Sequence, residues 1–457
     1  MSYKDMPYHL KDCFLYLASF PEDYKISARR LIRMWVAEKL IPYDEKKTME
    51  LKAEECLEQL VHRSMIQVSS RHSIGSIKSC RLHDLLRDLA MHHAEKEKFV
   101  TVFPKSQGVN HPHRVVRRAS LQSNDCREFI NYADKNTRSF LCFNQSLLLR
   151  DIPLETIKFR LLRVVEIENA SIKMAGLDGL IHMKYLGLRD CNIIECPSKF
   201  SWFCLKNLET LDCRGTNYFD PNVGIRLTDL WTIGTLRHVL FSFTDTNPWK
   251  GLPSNADLTN LQSLGWVTGE HTWRNQLPCL KNLRKLKFNN GALDEPRIDW
   301  DMVGHLLETL PYLQSLEIAA GYEIPKEIVC PRGLPNYQNL QTLYLQGALG
   351  VNKVEASLFP EYLVKLTLIN SNLKEDPMPE LGRLKNLQKL QLRGDVCKSE
   401  MICTVGFPIL QTLILFHLKV PSLTIMEGVM PKLKHLTKEN QRKITINLPR
   451  ELSHLLT

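Results

Sequence analysis

Long apolar runs are absent from this sequence of 457 residues. No stretch reaches the roughly 18 uninterrupted apolar residues that a membrane-spanning helix requires. The N-terminal segment MSYKDMPYHLKDCFLYL carries charges where a signal peptide has an apolar region. We therefore expect no membrane span and a cytoplasmic location.

Motifs for metal, redox or nucleotide chemistry are also missing. None of the 13 cysteines forms a C-x-x-C pair, so neither a zinc ribbon nor a thioredoxin-like site is indicated. None of the 21 glycines is followed by lysine, which excludes the G-x-x-x-x-G-K-[ST] phosphate loop. No nucleophile–base pair or metal-ligand cluster stands out. The sequence therefore predicts neither an enzyme nor a metalloprotein.

The charge and composition are those of a globular protein. Apolar residues make up 44% and charged residues 24%, which is enough to bury a large core. The formal net charge of +10 is modest for this length. It is compatible with anionic partners but does not indicate a nucleic-acid-binding protein.

The sequence does contain a repeat. An apolar residue, two variable residues, an apolar, one variable and another apolar residue recur at intervals of roughly 21 to 30 residues, the spacing of leucine-rich repeats. Good copies begin at Met183, Leu208, Leu236, Leu261, Leu283, Leu313, Leu340, Leu363, Leu387 and Leu410. Weaker copies begin at Leu162 and Leu433, with a further candidate at Thr137. The repeat predicts a leucine-rich-repeat solenoid, a horseshoe of α/β class.

Each copy predicts one short strand whose later leucines point the same way, because strand side chains alternate. One repeat cannot bury this row alone, so neighbouring repeats stack and share a core. Turn residues such as Lys206-Asn207 and Lys385-Asn386 precede many copies. The side chains between the leucines are then free of packing and line the concave face.

The concave positions carry many basic and aromatic residues, which are types favoured at binding hot spots. They are either a solvated strand face or a surface that binds a protein, and we take the face as a whole to be the protein-binding site. The candidate residues are Arg189, Arg214, Lys285, Lys287, Tyr344, Lys365, Lys389, Arg393 and Phe416, with Ile414 beside them. The long segment between Asn289 and Leu313 is expected to extend this surface.

The first hundred residues have a different pattern. Apolar spacing predicts helices over residues 7–17, after Ser27, after Thr48 and from Asp84 onward. Ser27 is placed to cap the second helix. Two β-prone segments, one at Met65 and one at Cys80, flank a Ser/Gly stretch and predict a hairpin. Together they predict a small α+β winged-helix domain ahead of the solenoid.

Winged helices often bind DNA, and the second helix carries three arginines, Arg29, Arg30 and Arg33. Such residues can contact phosphates. The same helix contains Trp35, and the acidic residues Glu22, Asp23 and Glu38 lie close in sequence. We therefore favour a solvated basic face over a nucleic-acid contact.

Three segments in fixed order carry a family resemblance: LKDCFLYLASFPEDYKISARRLIRMWVAEKLI, AEECLEQLVHRSMIQV and CRLHDLLRDLA. Followed by irregular leucine-rich repeats, they resemble the plant NB-ARC leucine-rich-repeat disease-resistance proteins of the coiled-coil class. The resemblance covers nearly the whole chain. It implies a winged-helix domain over 1–100, a linker or cap of the array over 101–136, and repeats over 137–457.

In that family, the histidine of an M-H-D motif contacts the β-phosphate of bound ADP. The matching residues are His83 and Asp84, with Leu82 in place of the methionine. Asp84 is also placed to cap the fourth helix. The family's coiled-coil, phosphate-loop and adjoining helical regions have no counterpart in the sequence, which implies a truncated gene product or an incomplete gene model. We therefore expect no cofactor in this chain, although intact relatives use ADP and ATP.

The resemblance implies a role in plant innate immunity. The repeats would bind a pathogen effector or a guarded host protein, or else the nucleotide-binding module of a relative. One alternative is a ubiquitin-ligase adaptor that selects substrates through its repeats, although its F-box would need neither the hairpin nor the His-Asp pair. An extracellular receptor ectodomain is a weaker alternative, because the sequence lacks a signal peptide.

Overall fold

The computed structural model describes most of the chain in two compact units. Unit 1 comprises Met1–Ser242 and Asn255–Leu258, and unit 2 comprises Phe243–Ser254 and Thr259–Thr457. The described residues are 3–72, 75–103, 115–122, 135–143, 150–152, 159–177, 179–197, 200–216, 228–242, 258–268, 279–289, 309–319, 337–439 and 444–455.

Unit 1 begins with the predicted winged-helix domain. Its helices are α1 (Tyr8–Tyr16), α2 (Ala28–Glu38), α3 (Met49–His62) and α4 (Asp84–Lys96). Its strands are β1 (Ile26–Ser27), β2 (Gln67–Arg71) and β3 (Ile77–Arg81). The antiparallel β2–β3 hairpin is the predicted wing, and β1 adds to it by pairing with β3. The order of helices and hairpin predicted from the sequence is therefore confirmed.

The helix starts agree only in part with the sequence signals. Thr48 precedes α3, and its side chain accepts a hydrogen bond from the Leu51 amide, as an N-cap should. Ser27 occupies the N-cap position of α2 without a side-chain hydrogen bond. The predicted cap at Asp84 is wrong, because His83 is the N-cap and Asp84 is the first residue of α4. A carboxylate there still favours the helix through the positive end of its dipole.

The remaining strands are the repeats. In unit 1 they are β4 (Thr101–Phe103), β5 (Arg118–Leu121), β6 (Ser139–Phe143), β7 (Arg150–Ile152), β8 (Val164–Glu168), β9 (Ala170–Lys173), β10 (Tyr185–Arg189), β11 (Asn192–Glu195), β12 (Thr210–Cys213) and β13 (His238–Phe241). β4, β5, β6, β8, β10, β12 and β13 form a parallel sheet in that order. Since β4 and β5 belong to it, the array of strands extends into the 101–136 region expected to be a linker or cap.

Unit 2 continues the pattern with its own parallel sheet. Its strands are β14 (Ser263–Thr268), β15 (Lys285–Asn289), β16 (Ser315–Ala319), β17 (Thr342–Gln346), β18 (Lys365–Ile369), β19 (Lys389–Arg393), β20 (Met401–Cys403), β21 (Thr412–Phe416), β22 (Ser422–Ile425), β23 (His435–Glu439) and β24 (Thr445–Asn447). All except β20, β22 and β24 join this sheet. Those three form a second small sheet, as β7, β9 and β11 do in unit 1. A short helix, α5 (Met378–Leu381), precedes β19.

The repeat leucines form the core that the periodicity predicts. In-register leucines such as Leu343, Leu366, Leu390 and Leu413 are fully buried, and each contributes roughly 1.5–3 kcal/mol of apolar burial. The first, third and fifth side chains of each strand point the other way. We call this surface the strand face, and it corresponds to the face predicted to be concave.

Two rows of hydrogen bonds hold consecutive repeats in register. The asparagine ahead of the first leucine donates its side-chain amide to a carbonyl of the preceding repeat, from Asn207 to Ile181, from Asn282 to Thr259 and from Asn386 to Glu361. At the other end of the strand, a residue with positive φ turns the chain. Its amide donates to the next repeat, as from Asn370 to Arg393 and from Gly394 to Phe416. The asparagines predicted only as turn residues are thus links between repeats.

Among the described residues, no helix combines the length and apolar character that crossing a membrane requires.

Substitution of Gly394 tests the second row of hydrogen bonds between repeats. Its φ is +69°, and a Cβ added there would overlap the side-chain oxygen of Asn370. We expect Gly394→Ala to lower the free energy of unfolding by about 2 kcal/mol or more, measured by urea denaturation. Gly428→Ala is the control, because Gly428 has a φ of +75° with nothing within 4 Å of the added Cβ. Equal losses in the two variants would contradict the role of this contact.

Candidate protein-binding face

The strand face of unit 1 is covered by the winged-helix domain, and a buried arginine lies at the centre of the contact. Arg30 on α2 is almost completely buried. Its Nη2 lies 2.8 Å from Oε1 of Glu166, and its Nη1 lies 2.7 Å from Oε1 of Glu168. Both glutamates project from β8. The solvated basic face predicted for this helix is therefore wrong at Arg30, although Arg29 beside it is exposed.

Two tyrosines complete the network around Arg30. The Tyr24 hydroxyl accepts a hydrogen bond from Arg30 at 2.6 Å and donates to the Glu168 carboxylate at 2.7 Å. The Tyr185 hydroxyl donates to Oε2 of Glu166 at 2.6 Å. Gly187 leaves room for this arrangement, because a Cβ there would overlap the Glu166 carboxylate. The buried charges are thus paired with opposite charges, and the two tyrosine hydroxyls supply hydrogen bonds to part of the network, which makes such burial tolerable.

Further contacts extend the docking along the segment that follows α1 and across β5 and β6. The Ser120 hydroxyl donates to the carbonyl of Ser19 at 2.5 Å. The Phe143 ring packs against Phe20 with centroids 5.4 Å apart. Leu141, Phe143, Val164 and Tyr185 belong to the same hydrophobic core as the winged-helix residues. The first repeats and the winged helix therefore share one core.

A third acidic residue of the strand face, Asp212, lies beside Glu166. It is buried, and Arg214 makes two hydrogen bonds to its carboxylate at 2.7 and 2.5 Å. Burial, reinforced by the charges of Glu168 and Asp212, raises the pKa of Glu166 to about 7 despite the opposing effect of Arg30. Glu166, Glu168 and Asp212 thus form an acidic cluster on the strand face of unit 1, and α2 places Arg30 against it.

Two of the predicted binding residues lie at the edge of this contact and are partly exposed. Arg189 approaches Glu168, with Nε 3.6 Å from Oε1, and Arg214 is held by Asp212. Their guanidinium groups therefore pair with the acidic cluster of unit 1, and both side chains remain partly exposed. The sequence pattern placed both on the strand face but gave no sign that the winged helix covers it.

The N-terminal end of α3 makes a second contact with the repeats. Glu50 pairs with Arg237 at 2.6 Å, and Nε2 of His238 lies 3.6 Å from the same carboxylate. Burial opposes the charge on Glu50, but His238 and Arg237 lower its pKa to about 2. Burial, followed by the charge of Arg33, lowers the pKa of His238 to about 3. His238 is therefore neutral at pH 7.

The strand face of unit 2 carries the other predicted residues. A register shift in β14 leaves Gly265 and Trp266 opposite Lys287, a β-bulge that turns Trp266 onto this face. Lys287 lies 5.2 Å from the Trp266 ring centroid and 2.7 Å from Glu317. The Trp266 ring meets Tyr344 edge-to-face at 6.4 Å. Trp266 was not among the residues predicted from the sequence, although a glycine within a strand pattern is a signal of a bulge.

The C-terminal strands add a second aromatic group. The Arg393 guanidinium lies 4.7 Å from the ring centroid of Phe416, which also contacts His417. Lys285, Lys365 and Lys389 occupy the first position of β15, β18 and β19, and Ile414 lies in the middle of β21. All of them are partly exposed except Arg393, which is exposed. Residues 290–308, which include most of the predicted surface extension, lie outside the described residues.

His83 and Asp84 lie elsewhere, on the surface of the winged-helix domain. Both are exposed, and so is the Leu85 side chain, whereas Leu82 is buried in the position of the family's methionine. One exposed imidazole does not make a nucleotide site, and the sequence contains no phosphate loop.

Comparisons with known proteins agree with both parts of the architecture. The model of a family described as "Leucine-rich repeat region" matches residues 136–455. A second model, "Disease resistance protein Winged helix domain", matches residues 20–90. These ranges correspond to the repeat strands and to most of the winged-helix domain.

Curated relatives match along nearly the whole chain. It is 31% identical to disease-resistance RPP13-like protein 2 of Arabidopsis thaliana, over 96% of this chain and 51% of the relative. It is 29% identical to disease resistance protein RPP13 of the same plant, over 99% of this chain and 50% of the relative. The chain thus spans about half the length of the curated relatives it matches. Among solved structures, the plant peptide hormone receptor RGFR1 in complex with RGF2 aligns with a TM-score of 0.39 and 13% identity, over 70% of this chain and 61% of the receptor.

Substitution of Arg30 tests the buried contact with Glu166 and Glu168 directly. We expect Arg30→Met to lower the free energy of unfolding by about 3–5 kcal/mol, because two buried carboxylates lose their shared cation. Arg29→Met is the control on the same helix and should change stability by no more than about 1 kcal/mol, the range of an exposed ionic contact. Chemical denaturation followed by tryptophan fluorescence compares them. A similar small effect in both would contradict the burial of Arg30.

The lowered pKa of His238 predicts that the stability of the chain depends on pH. Because its pKa is about 3 in the folded chain and near 6.5 when unfolded, the unfolded state binds more protons between these values. Stability should therefore fall as pH is lowered below 6.5, by about 1.4 kcal/mol per pH unit from this group. We expect His238→Gln to remove about 2 kcal/mol of the loss between pH 6.5 and 5. Parallel stability profiles of the variant and the wild type would contradict this assignment.

Proposed function

Because the chain belongs to the leucine-rich-repeat disease-resistance proteins of plants, we propose that it is a receptor-type protein of innate immunity. In this proposal its repeats bind a pathogen effector or a guarded host protein. The nucleotide-binding module of a relative, bound in trans, is the other partner we consider. The proposed site of action is the cytoplasm, and the proposed role is recognition without catalysis.

The observation that carries this proposal is the difference between the two strand faces. In unit 1 the winged-helix domain covers the face, and its charges are used internally. In unit 2 the face carries partly exposed aromatic and basic side chains, including Tyr344, Phe416 and Arg393. Tyrosine, tryptophan and arginine are the residues on which binding energy concentrates in protein interfaces. We therefore assign recognition to unit 2.

The winged-helix domain has a separate part in the proposal. Its exposed His83 and Asp84 form the surface that, by family resemblance, faces the phosphates of a nucleotide held by another module. In this chain we propose that the two residues are a remnant of that switch and bind no ADP or ATP alone. Calorimetric titration of the purified chain with ADP and ATP should show no heat of binding. Binding that disappears in His83→Ala would contradict this part of the proposal.

Recognition by unit 2 can be tested with purified proteins. A panel of pathogen effectors, of host proteins that they target and of nucleotide-binding modules from relatives would be titrated against the full chain by biolayer interferometry. For a partner that binds, we expect the double variant Tyr344→Ala, Phe416→Ala to lower affinity by about tenfold or more.

The matched control is Tyr312→Ala, Tyr362→Ala, which removes two tyrosines that are exposed in turns preceding β16 and β18. This control should leave binding within about threefold of the wild type. The proposal fails if no member of the panel binds, or if both double variants lose affinity equally.

A further inference from the structure

Two arginines of unit 1 occupy the fifth strand-face position of their repeats, and each has a carboxylate beside it. Arg189 ends β10, and its Nε lies 3.6 Å from Oε1 of Glu168, the fifth residue of the neighbouring strand β8. Arg214 immediately follows β12, and its Nη2 lies 2.5 Å from Oδ2 of Asp212, at the third position of the same repeat. The carboxylates that pair with these arginines thus come from the preceding strand or from the third position.

Arg393 occupies the same fifth position in unit 2, at the end of β19, and both corresponding neighbours are uncharged. Its register partner on the preceding strand is Ile369, and the third residue of β19 is Gln391. Asp395, two residues further along the chain, pairs with Lys419 at 2.6 Å. In the part of the chain that the structure describes, no carboxylate forms an ion pair with Arg393.

An aromatic ring holds the Arg393 guanidinium. Phe416 is its register partner on the next strand, and the ring centroid lies 4.7 Å from the guanidinium. Glu439, the register partner of Phe416 on β23, is separated from Arg393 by β21. Arginine can pack on a ring and still present N–H groups to an acceptor at the edge of its guanidinium plane. Because Arg393 is exposed, an acceptor on another protein can reach it.

Arg118 shows the completed form of this arrangement within the same chain. It occupies the first position of β5, and its guanidinium lies 4.1 Å from the ring centroid of Phe99. Its Nε lies 2.7 Å from Oε2 of Glu38, the last residue of α2. Since Glu38 belongs to the winged-helix domain, the element that docks on the strand face supplies the carboxylate. An arginine of a repeat, a ring and a carboxylate of the docked element thus make one contact.

From this comparison we infer that Arg393, packed on Phe416, binds a carboxylate side chain of the protein partner. The aspartate or glutamate of the partner accepts hydrogen bonds from the guanidinium, whose fork of N–H groups matches a carboxylate. An apolar residue beside it packs on Phe416 and on Ile414, the middle residue of β21 on the same face. The inference rests on the proposed function, since it names the chemistry that unit 2 recognises.

The ring contact makes Arg393 suited to this role. A guanidinium already held by a neighbouring side chain loses less conformational entropy when it binds. A charge-assisted hydrogen bond is stronger than a neutral one, and a fork of two such bonds adds geometric specificity. The partner segment is therefore expected to carry an acidic residue next to an apolar one.

A random peptide library displayed on phage and selected against the full chain tests the inference. Displayed peptides have no free C-terminus, so an enriched carboxylate must come from a side chain. We expect the enriched peptides to carry aspartate or glutamate next to an aromatic or aliphatic residue. Each is then synthesised with an amidated C-terminus in two forms, one with the acidic residue and one with its amide. By fluorescence anisotropy the amide form should bind the wild type about tenfold or more weakly.

Substitution of Arg393 locates the contact. Arg393→Met should weaken binding of the acidic form by about tenfold or more and leave the amide form within about threefold of its wild-type affinity. Retained binding of the amide form also shows that the variant is folded. Arg383→Met is the matched control, because Arg383 is exposed between α5 and β19 and its loss changes the net charge equally. The control should leave both forms within about threefold.

Equal weakening by the two variants would overturn the inference, since it would show attraction to net charge alone. A selection that yields no enriched peptide, or peptides without an acidic residue, would also overturn it. These failures are distinct from failure of the proposed function. A protein partner that loses affinity for Tyr344→Ala, Phe416→Ala but binds Arg393→Met like the wild type leaves recognition by unit 2 intact and removes only the carboxylate contact.

Discussion

The buried ion pair between Arg30 and the two glutamates of β8 is the constraint on which unit 1 depends. A guanidinium removed from water costs several kcal/mol unless opposite charges and hydrogen bonds replace the solvent. Glu166, Glu168 and the Tyr24 hydroxyl provide them, and their positions require α2 to lie directly over β8. The pair therefore fixes where the winged-helix domain sits on the first repeats, while the shared apolar core supplies most of the stabilisation.

Because of this docking, the strand face has a different role in each unit. Leucine-rich strands present alternating side chains, so every repeat contributes to the core and to the strand face. In unit 1 this face contacts the winged-helix domain and carries acidic residues. In unit 2 the same positions carry lysine, arginine and aromatic residues at partly exposed sites. Arg189 and Arg214 therefore pair with Glu168 and Asp212, whereas the other predicted binding residues lie on the strand face of unit 2.

Much of the fold could be predicted from the sequence because it depends on local periodicity. The leucine spacing predicted the strands of the main sheet of unit 2 to within a residue or two, although not β20, β22 and β24, and the helical spacing with the Thr48 cap predicted α3. The burial of Arg30 could not be predicted in this way. Arg29 and Arg30 are adjacent and chemically identical, and only the distant Glu166 and Glu168 distinguish them. The bulge that turns Trp266 onto the strand face and the hydrogen bond from Asn386 to the preceding repeat likewise depend on contacts between repeats, which a single repeat does not reveal.

A double-mutant cycle on Arg30→Met and Glu166→Gln tests the central claim most directly, because it measures the coupling between the winged helix and the repeats apart from the effect of each substitution alone. Free energies of unfolding of the wild type, the two single variants and the double variant would be measured at pH 8, where Glu166 is ionised. The docking described here predicts a coupling of about 2 kcal/mol or more. Additive effects, with a coupling of no more than about 0.3 kcal/mol, would contradict it.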